Sequence, residues 1–486
     1  MKKKRILSFI LALTVLLNPV SNLFPMNVRA EEKEETDTTI VSEDGEILFD
    51  SSIEEEIISE QTITLGENTV TDSCGTTTSW TYDIDSKTLI ISGEGDLISM
   101  TYLTDNWYTY VDSVETIVVE NSITSVPAGI FEDCTSLKNL SIPLIEKIDG
   151  EDSWTLSSWL GENRSNIESL TLNSGTIIPE HFASYCPNLQ EINLANTITT
   201  IGEYAFYDCE NITSIVIPDS VISLGDNAFS SCELLSTVTL SNSLESIGAY
   251  AFYRCNALTN ITLPASLKSI GNQAFASTSL TELTIPESVE QIDYSILNSV
   301  YTITSLTIPD TELSPSEESC RLSYWFFSTS GYNSDLPESL TSVTITGGSK
   351  IADNYFDNCN YLTEINLPDT LTEIGTSAFS YCSALAEVTI PNNVTDIGSS
   401  AFYNCHALKG IVLPDSVKSL GNSAFSGCEL LSNVTLSNSL ESIGSCAFYS
   451  CNALTNITLP ASLKSIGSQA FASTSLTELT IPESVE

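Results

Sequence analysis

Apolar and polar positions in this chain follow one short pattern that returns every 23 residues. In Ile261-Thr262-Leu263 the apolar residues flank a polar one, the alternation of a half-buried strand, and Pro264 ends it. A second apolar pair, Leu267 and Ile270, precedes Gly271, a natural turn position. Ala274 and Phe275 supply a further apolar wall, expected in a short helical turn. Cysteine marks the period: Cys186, Cys209, Cys232 and Cys255 are 23 residues apart, as are Cys359, Cys382, Cys405, Cys428 and Cys451. A fixed period of this size is one small unit that cannot bury its apolar face alone and stacks on copies of itself, which is a solenoid.

The pattern predicts a β-rich solenoid, a parallel sheet of about 16 coils of 23 residues with short helical turns, its inward strand positions running from Ile117 to Leu479. It is irregular at 146–166, which carries Trp154 and Trp159, and at 310–338, which carries S-Y-W-F-F (Ser323 to Phe327) and Tyr332; both replace the A-F-x-x-C part of a coil with something longer. A larger duplication overlies the repeats: Gly225–Glu290 and Gly421–Glu486 agree at 58 of 66 positions. The last coil is incomplete at Glu486, and the expectation is that the natural chain is longer.

Upstream of the repeats the pattern changes three times. Residues 1–30 have a basic start (Lys2 to Arg5), an apolar run from Ile6 to Leu17, and small residues Val28 and Ala30, the build of a signal peptide cleaved after Ala30. Its apolar run is short for a membrane span of about 20 residues. Residues 31–61 are acidic with few aliphatics and predict a flexible spacer. Residues 62–112 alternate in short strands, S-W-T-Y-D-I-D and T-L-I-I-S-G-E-G-D, and predict a small β cap covering the first coil of repeats 113–486.

Charge narrows the partners. The chain carries 17 basic and 63 acidic residues, a formal charge of −46 that falls to −51 when the signal takes five basic residues with it. Such a surface repels nucleic acid and anionic lipid. Thirteen cysteines in an exported chain invite disulfides, but equivalent side chains on stacked coils lie about 4.8 Å apart and parallel, where a disulfide needs converging Cβ atoms. The ten-membered ladder that includes Cys134 therefore predicts buried thiols. Cys74, Cys320 and Cys446 fall outside it.

Candidate chemistry is sparse. His181 and His406 are the two histidines, each a variant within a repeat, and no third group is spaced to orient either as a base. No C-x-x-C or H-x-x-x-H pair is present for zinc, and Asp83-Ile84-Asp85 lacks the rest of a calcium loop. The expectation is no enzyme, no metal and no cofactor. The outward strand position is more regular: Thr239, Thr262, Thr284, Thr307, Thr344, Thr389, Thr435 and Thr458 share it. Threonine is also a favoured β residue, so strand chemistry alone is the alternative to a binding stripe. Among the insertions Trp154, Trp159, Tyr324 and Trp325 are candidate anchors, because Trp and Tyr dominate interface energetics; burial in a swollen coil is the alternative, favoured for Phe326.

The units A-F-Y-D-C-E-N-I-T-S-I-V-I-P (Ala205 to Pro218) and A-F-S-Y-C-S-A-L-A-E-V-T-I-P (Ala378 to Pro391) resemble the BspA-like leucine-rich repeats of bacterial and some protist surface proteins. The resemblance implies a right-handed leucine-rich-repeat solenoid, secretion or surface display, and adhesion or protein binding without catalysis. The expected partner is an extracellular protein or glycan. The alternative is a passive spacer displaying a catalytic or wall-binding domain beyond Glu486.

Overall fold

Each regular 23-residue unit closes into a coil with three walls, and walls bond to their counterparts in neighbouring coils along most of the stack. The computed structural model describes residues 66–97, 107–145, 155–311, 321–327 and 336–486. The signal and spacer segments lie outside them, as do Trp154 and Cys320.

The first wall is the strand read from the sequence. It begins in the cap, where β1 (Thr69–Ser73), β2 (Thr78–Asp83) and β3 (Thr88–Gly93) pair antiparallel. Trp80, Tyr82, Leu89 and Ile91 are buried there. β3 then pairs parallel with Thr116–Val119, so the cap and the first coils share one seven-stranded sheet ending at Glu191–Leu194. The ladder is not one unbroken sheet: further along it comprises pairs and one four-stranded piece. Around Ile261, Val388 and Ile457 the chain keeps its alternation outside any strand, as where buried Ile261 and Leu263 flank exposed Thr262.

The second wall is a strand of only two residues. Ser246–Ile247 pairs in parallel with Ser269–Ile270 inside one six-stranded sheet, and the two-residue strands from Lys350–Ile351 to Ser465–Ile466 form a second. The solenoid has about 14 turns, slightly fewer than the 16 expected; among the described residues no two-residue strand follows Asn139–Pro143 or Ser305–Ile308 before the next long strand begins.

The third wall corrects the expected helical turn. Between Gly248 and Cys255 the amides of Tyr250, Phe252 and Arg254 donate to the carbonyls of Asn272, Ala274 and Ala276 in the following coil, at 2.8, 2.8 and 3.0 Å. Tyr250 and Arg254 have φ of 57° and 58°, the left-handed region few non-glycine residues adopt. The reversals turn alternate amides toward the next coil, so a segment of turns behaves as a hydrogen-bonded ladder. Gly248 fits where this wall meets the second: a Cβ there would lie 2.5 Å from the Gly225 carbonyl carbon and 2.6 Å from the Asp226 nitrogen.

The core is built of columns. Phe206, Phe229, Phe252 and Phe275 stack with ring centroids 5.3 to 5.8 Å apart, and a second column runs from Phe356 to Phe471. Such pairs add about 0.5–1.5 kcal/mol each beyond the area they bury. The ladder cysteines are all buried and free of disulfides. Burial pushes up the thiols of Cys209, Cys255, Cys382, Cys405, Cys428 and Cys451, and those of Cys134 and Cys232 to about 12. Cys74 is buried and Cys446 half-buried, both free.

Candidate binding surfaces of the solenoid

Parallel pairing in register aligns the outward strand residues. Thr239 lies beside Val216, Thr284 beside Thr307, Thr307 beside Thr344, Thr344 beside Asn366, and Thr435 beside Val412. Thr239, Thr262, Thr284, Thr389, Thr435 and Thr458 are exposed, and Thr307 and Thr344 half-buried. Thr262, Thr389 and Thr458 sit in the extended segments where no ladder forms, so the paired register is interrupted at those coils. Part of it is used internally: Asn366 Nδ2 donates to Thr344 Oγ1 at 3.3 Å and to Glu364 Oε1 at 3.2 Å. The result is a flat column of hydroxyl and methyl groups interrupted by valine and asparagine.

The aromatic insertions divide. Trp159 is 0% exposed and meets Phe131 edge-on at 6.4 Å. Its helix, Leu156–Leu160, occupies the place of a third wall: the Phe131 amide donates to the Trp159 carbonyl, and the Leu156 amide to that of Phe182, at 3.1 and 2.7 Å. Trp159 thus fills a phenylalanine place in the column. Trp325 is 4% exposed, and its carbonyl receives the Leu297 amide at 2.7 Å. Neither indole can anchor a partner while the coil is closed, because both rings are already enclosed. Phe326 is buried beside Trp325, and Tyr324 is half-buried.

The histidines are apart. His406 Nδ1 lies 3.1 Å from the Gly427 carbonyl, whereas His181 stacks on Tyr204 at 4.7 Å. No group of three or more His, Cys, Asp or Glu is placed to hold a metal among the described residues. No described helix is long and apolar enough to cross a membrane.

His181 belongs to a cluster that falls in the variable positions of the repeat. Tyr204 meets Tyr207 edge-on at 5.4 Å, and Tyr207 meets Tyr185 at 5.3 Å. Burial, then Tyr185 and Asp208, push the Tyr207 phenol above its ordinary value. The four rings lie on the third wall of adjacent coils, with Tyr250, Tyr253 and Arg254 further along it. The signal available in the sequence was the aromatic content of these positions, which the regular A-F-x-x-C columns conceal.

A stack of strand, two-residue strand and turn around columns of Phe, Leu, Ile and Cys defines a leucine-rich-repeat solenoid. The sequence matches the BspA type leucine-rich repeat region over residues 101–235, 199–320, 323–432 and 373–486, and the chain belongs to that family. No curated protein matches it significantly in sequence. Among solved structures it is similar to a leucine-rich repeat protein from Bacteroides ovatus, with 20% identity, 83% of this chain and 94% of that one covered, and a TM-score of 0.40. A leucine-rich cell surface protein from Faecalibacterium prausnitzii gives 21% identity, 84% and 99% coverage, and a TM-score of 0.26. A pneumococcal vaccine antigen gives 16%, 85% and 99%, and 0.26.

Proposed function

We propose that this chain is an exported, non-enzymatic binding protein of the cell surface or the medium, whose solenoid exterior engages an extracellular protein or glycan. Membership of the BspA-type family supports the reading, as does the signal-like segment at residues 1–30. The observation that carries it is the register of the strand wall, which stacks Thr284, Thr307 and Thr344 and sets exposed Thr239 and Thr435 beside Val216 and Val412. A rigid column of this kind offers a partner repeated contacts at the strand spacing of about 4.8 Å with little ordering cost on the solenoid side. The acidic surface steers the choice away from nucleic acid and anionic membranes. Titrating the mature chain against a panel of extracellular matrix proteins and glycans tests the proposal. Saturable binding that Thr262→Lys weakens is expected, and no saturable binding to any member would overturn it.

A further inference from the structure

The two copies of the 66-residue duplication differ at eight positions, and seven lie on the third wall. They are Asp226/Asn422, Asn227/Ser423, Ser231/Gly427, Ala249/Ser445, Tyr250/Cys446, Arg254/Ser450 and Asn272/Ser468; the eighth is Thr237/Asn433 on the strand wall. Exposure alone does not account for this, since exposed residues elsewhere, such as Glu245/Glu441, Lys268/Lys464 and Thr262/Thr458, are the same in both copies. The third wall has diversified, while the strand wall has changed at one position and the two-residue wall at none.

The same spacing of 196 residues relates the preceding coils. It pairs Tyr185 with Tyr381 and Tyr207 with Tyr403, and both pairs meet edge-on, at 5.3 and 5.4 Å. It also pairs His181 with Ser377 and Tyr204 with Ser400. The first array therefore carries a continuous quartet of rings where the second carries only a pair. Tyr185 is 52% exposed, and Glu180, Glu203 and Asp208 adjoin the quartet in the chain. Between Arg164 and Arg254 there are ten carboxylates and no lysine or arginine.

From these observations we propose that the third wall from His181 to Arg254 is a specificity surface, and that it takes an arginine-bearing segment of a protein partner. Electron-rich ring faces bordered by carboxylates attract a guanidinium through its charge and its planar face together. The wall already holds one such contact, Arg254 with its guanidinium carbon 5.5 Å from the Tyr253 ring centroid. The proposal concerns a different wall from the threonine column, so either stands without the other.

The test titrates the mature chain into a fluorescein-labelled peptide of alternating glycine and arginine, with lysine and glutamate counterparts and cellohexaose as competitor. Fluorescence anisotropy is read at about 0.15 and about 0.5 M salt, where screening separates diffuse attraction from close contact. The arginine peptide is expected to bind saturably and more tightly than the lysine peptide. The double variant His181→Ser, Tyr204→Ser, which copies the second array, weakens it about tenfold. Tyr185→Ala, a change at an exposed site, also weakens it, whereas Tyr301→Ala, at an exposed site outside this surface, does not. Equal arginine and lysine affinities that vanish at the higher salt in every variant would overturn the proposal and leave only diffuse acidity. Displacement of the peptide by cellohexaose, dependent on Tyr204, would overturn it in favour of a sugar site.

Discussion

The thiol of Cys255 donates to the carbonyl oxygen of Phe229 at 3.2 Å, across from its own coil to the one before. The same bond joins Cys232 to Phe206, Cys382 to Phe356, Cys405 to Phe379, Cys428 to Phe402 and Cys451 to Phe425, at 3.1 to 3.3 Å. The cysteine that marks the sequence period is thus an intercoil bond, and its chemistry is packing.

Cys255→Ala removes that bond and a small buried volume. The Phe229 carbonyl keeps the Cys232 amide at 3.3 Å, so it is not orphaned. A loss of about 1–2 kcal/mol is expected, read as a shift in urea midpoint with unchanged slope.

The raised thiols fix the sign of an alkaline effect. An acid whose pKa rises on folding favours the fold in its protonated form. That stability is full below the ordinary thiol value of 9.0 and drains away as pH climbs toward about 12, as for Cys134 and Cys232. Urea midpoints taken on either side of the ordinary value should fall with pH. A variant with several ladder cysteines changed to alanine should show a smaller fall. In the native state the ladder thiols should resist a thiol reagent until the chain unfolds.

Phe252 occupies the middle of a stacked column between Phe229 and Phe275. Phe252→Ala should cost about 3–5 kcal/mol, whereas Tyr185→Ala on the exterior should change stability by about 0.5 kcal/mol or less. Thermal or urea unfolding distinguishes the two.

Gly248→Ala places a Cβ against the backbone of the preceding coil, which cannot yield without shifting the stack. Destabilisation of about 1–3 kcal/mol is expected from such overpacking. The same change at Gly444, whose Cβ would meet the Gly421 carbonyl carbon at 2.5 Å, should cost as much in the second array.

What was legible in the sequence was what the core repeats. Ile261, Leu263, Phe252 and Cys255 recur because each fills a buried column, and burial leaves a periodic signal. The second wall showed as the apolar pair Leu267 and Ile270, but Ser269–Ile270 is too short to mark itself as a strand by alternation. The third wall reads as helical from the sequence because its left-handed positions hold Tyr250 and Arg254 rather than glycine, and no composition rule flags them. Trp159 and Trp325 looked like anchors because insertions shifted them out of register, although each completes a buried wall. The threonine column was readable from strand alternation, while the ring quartet emerged only once adjacent coils were set side by side.

The central claim is that the interior of this solenoid serves stability and its exterior serves binding. It is tested most directly by measuring affinity for a bound member of the panel with two exterior variants, Thr262→Lys with Thr284→Lys, and His181→Ser with Tyr204→Ser. At least one is predicted to bind about tenfold more weakly or worse with an unchanged urea midpoint. Wild-type affinity in both would contradict the account.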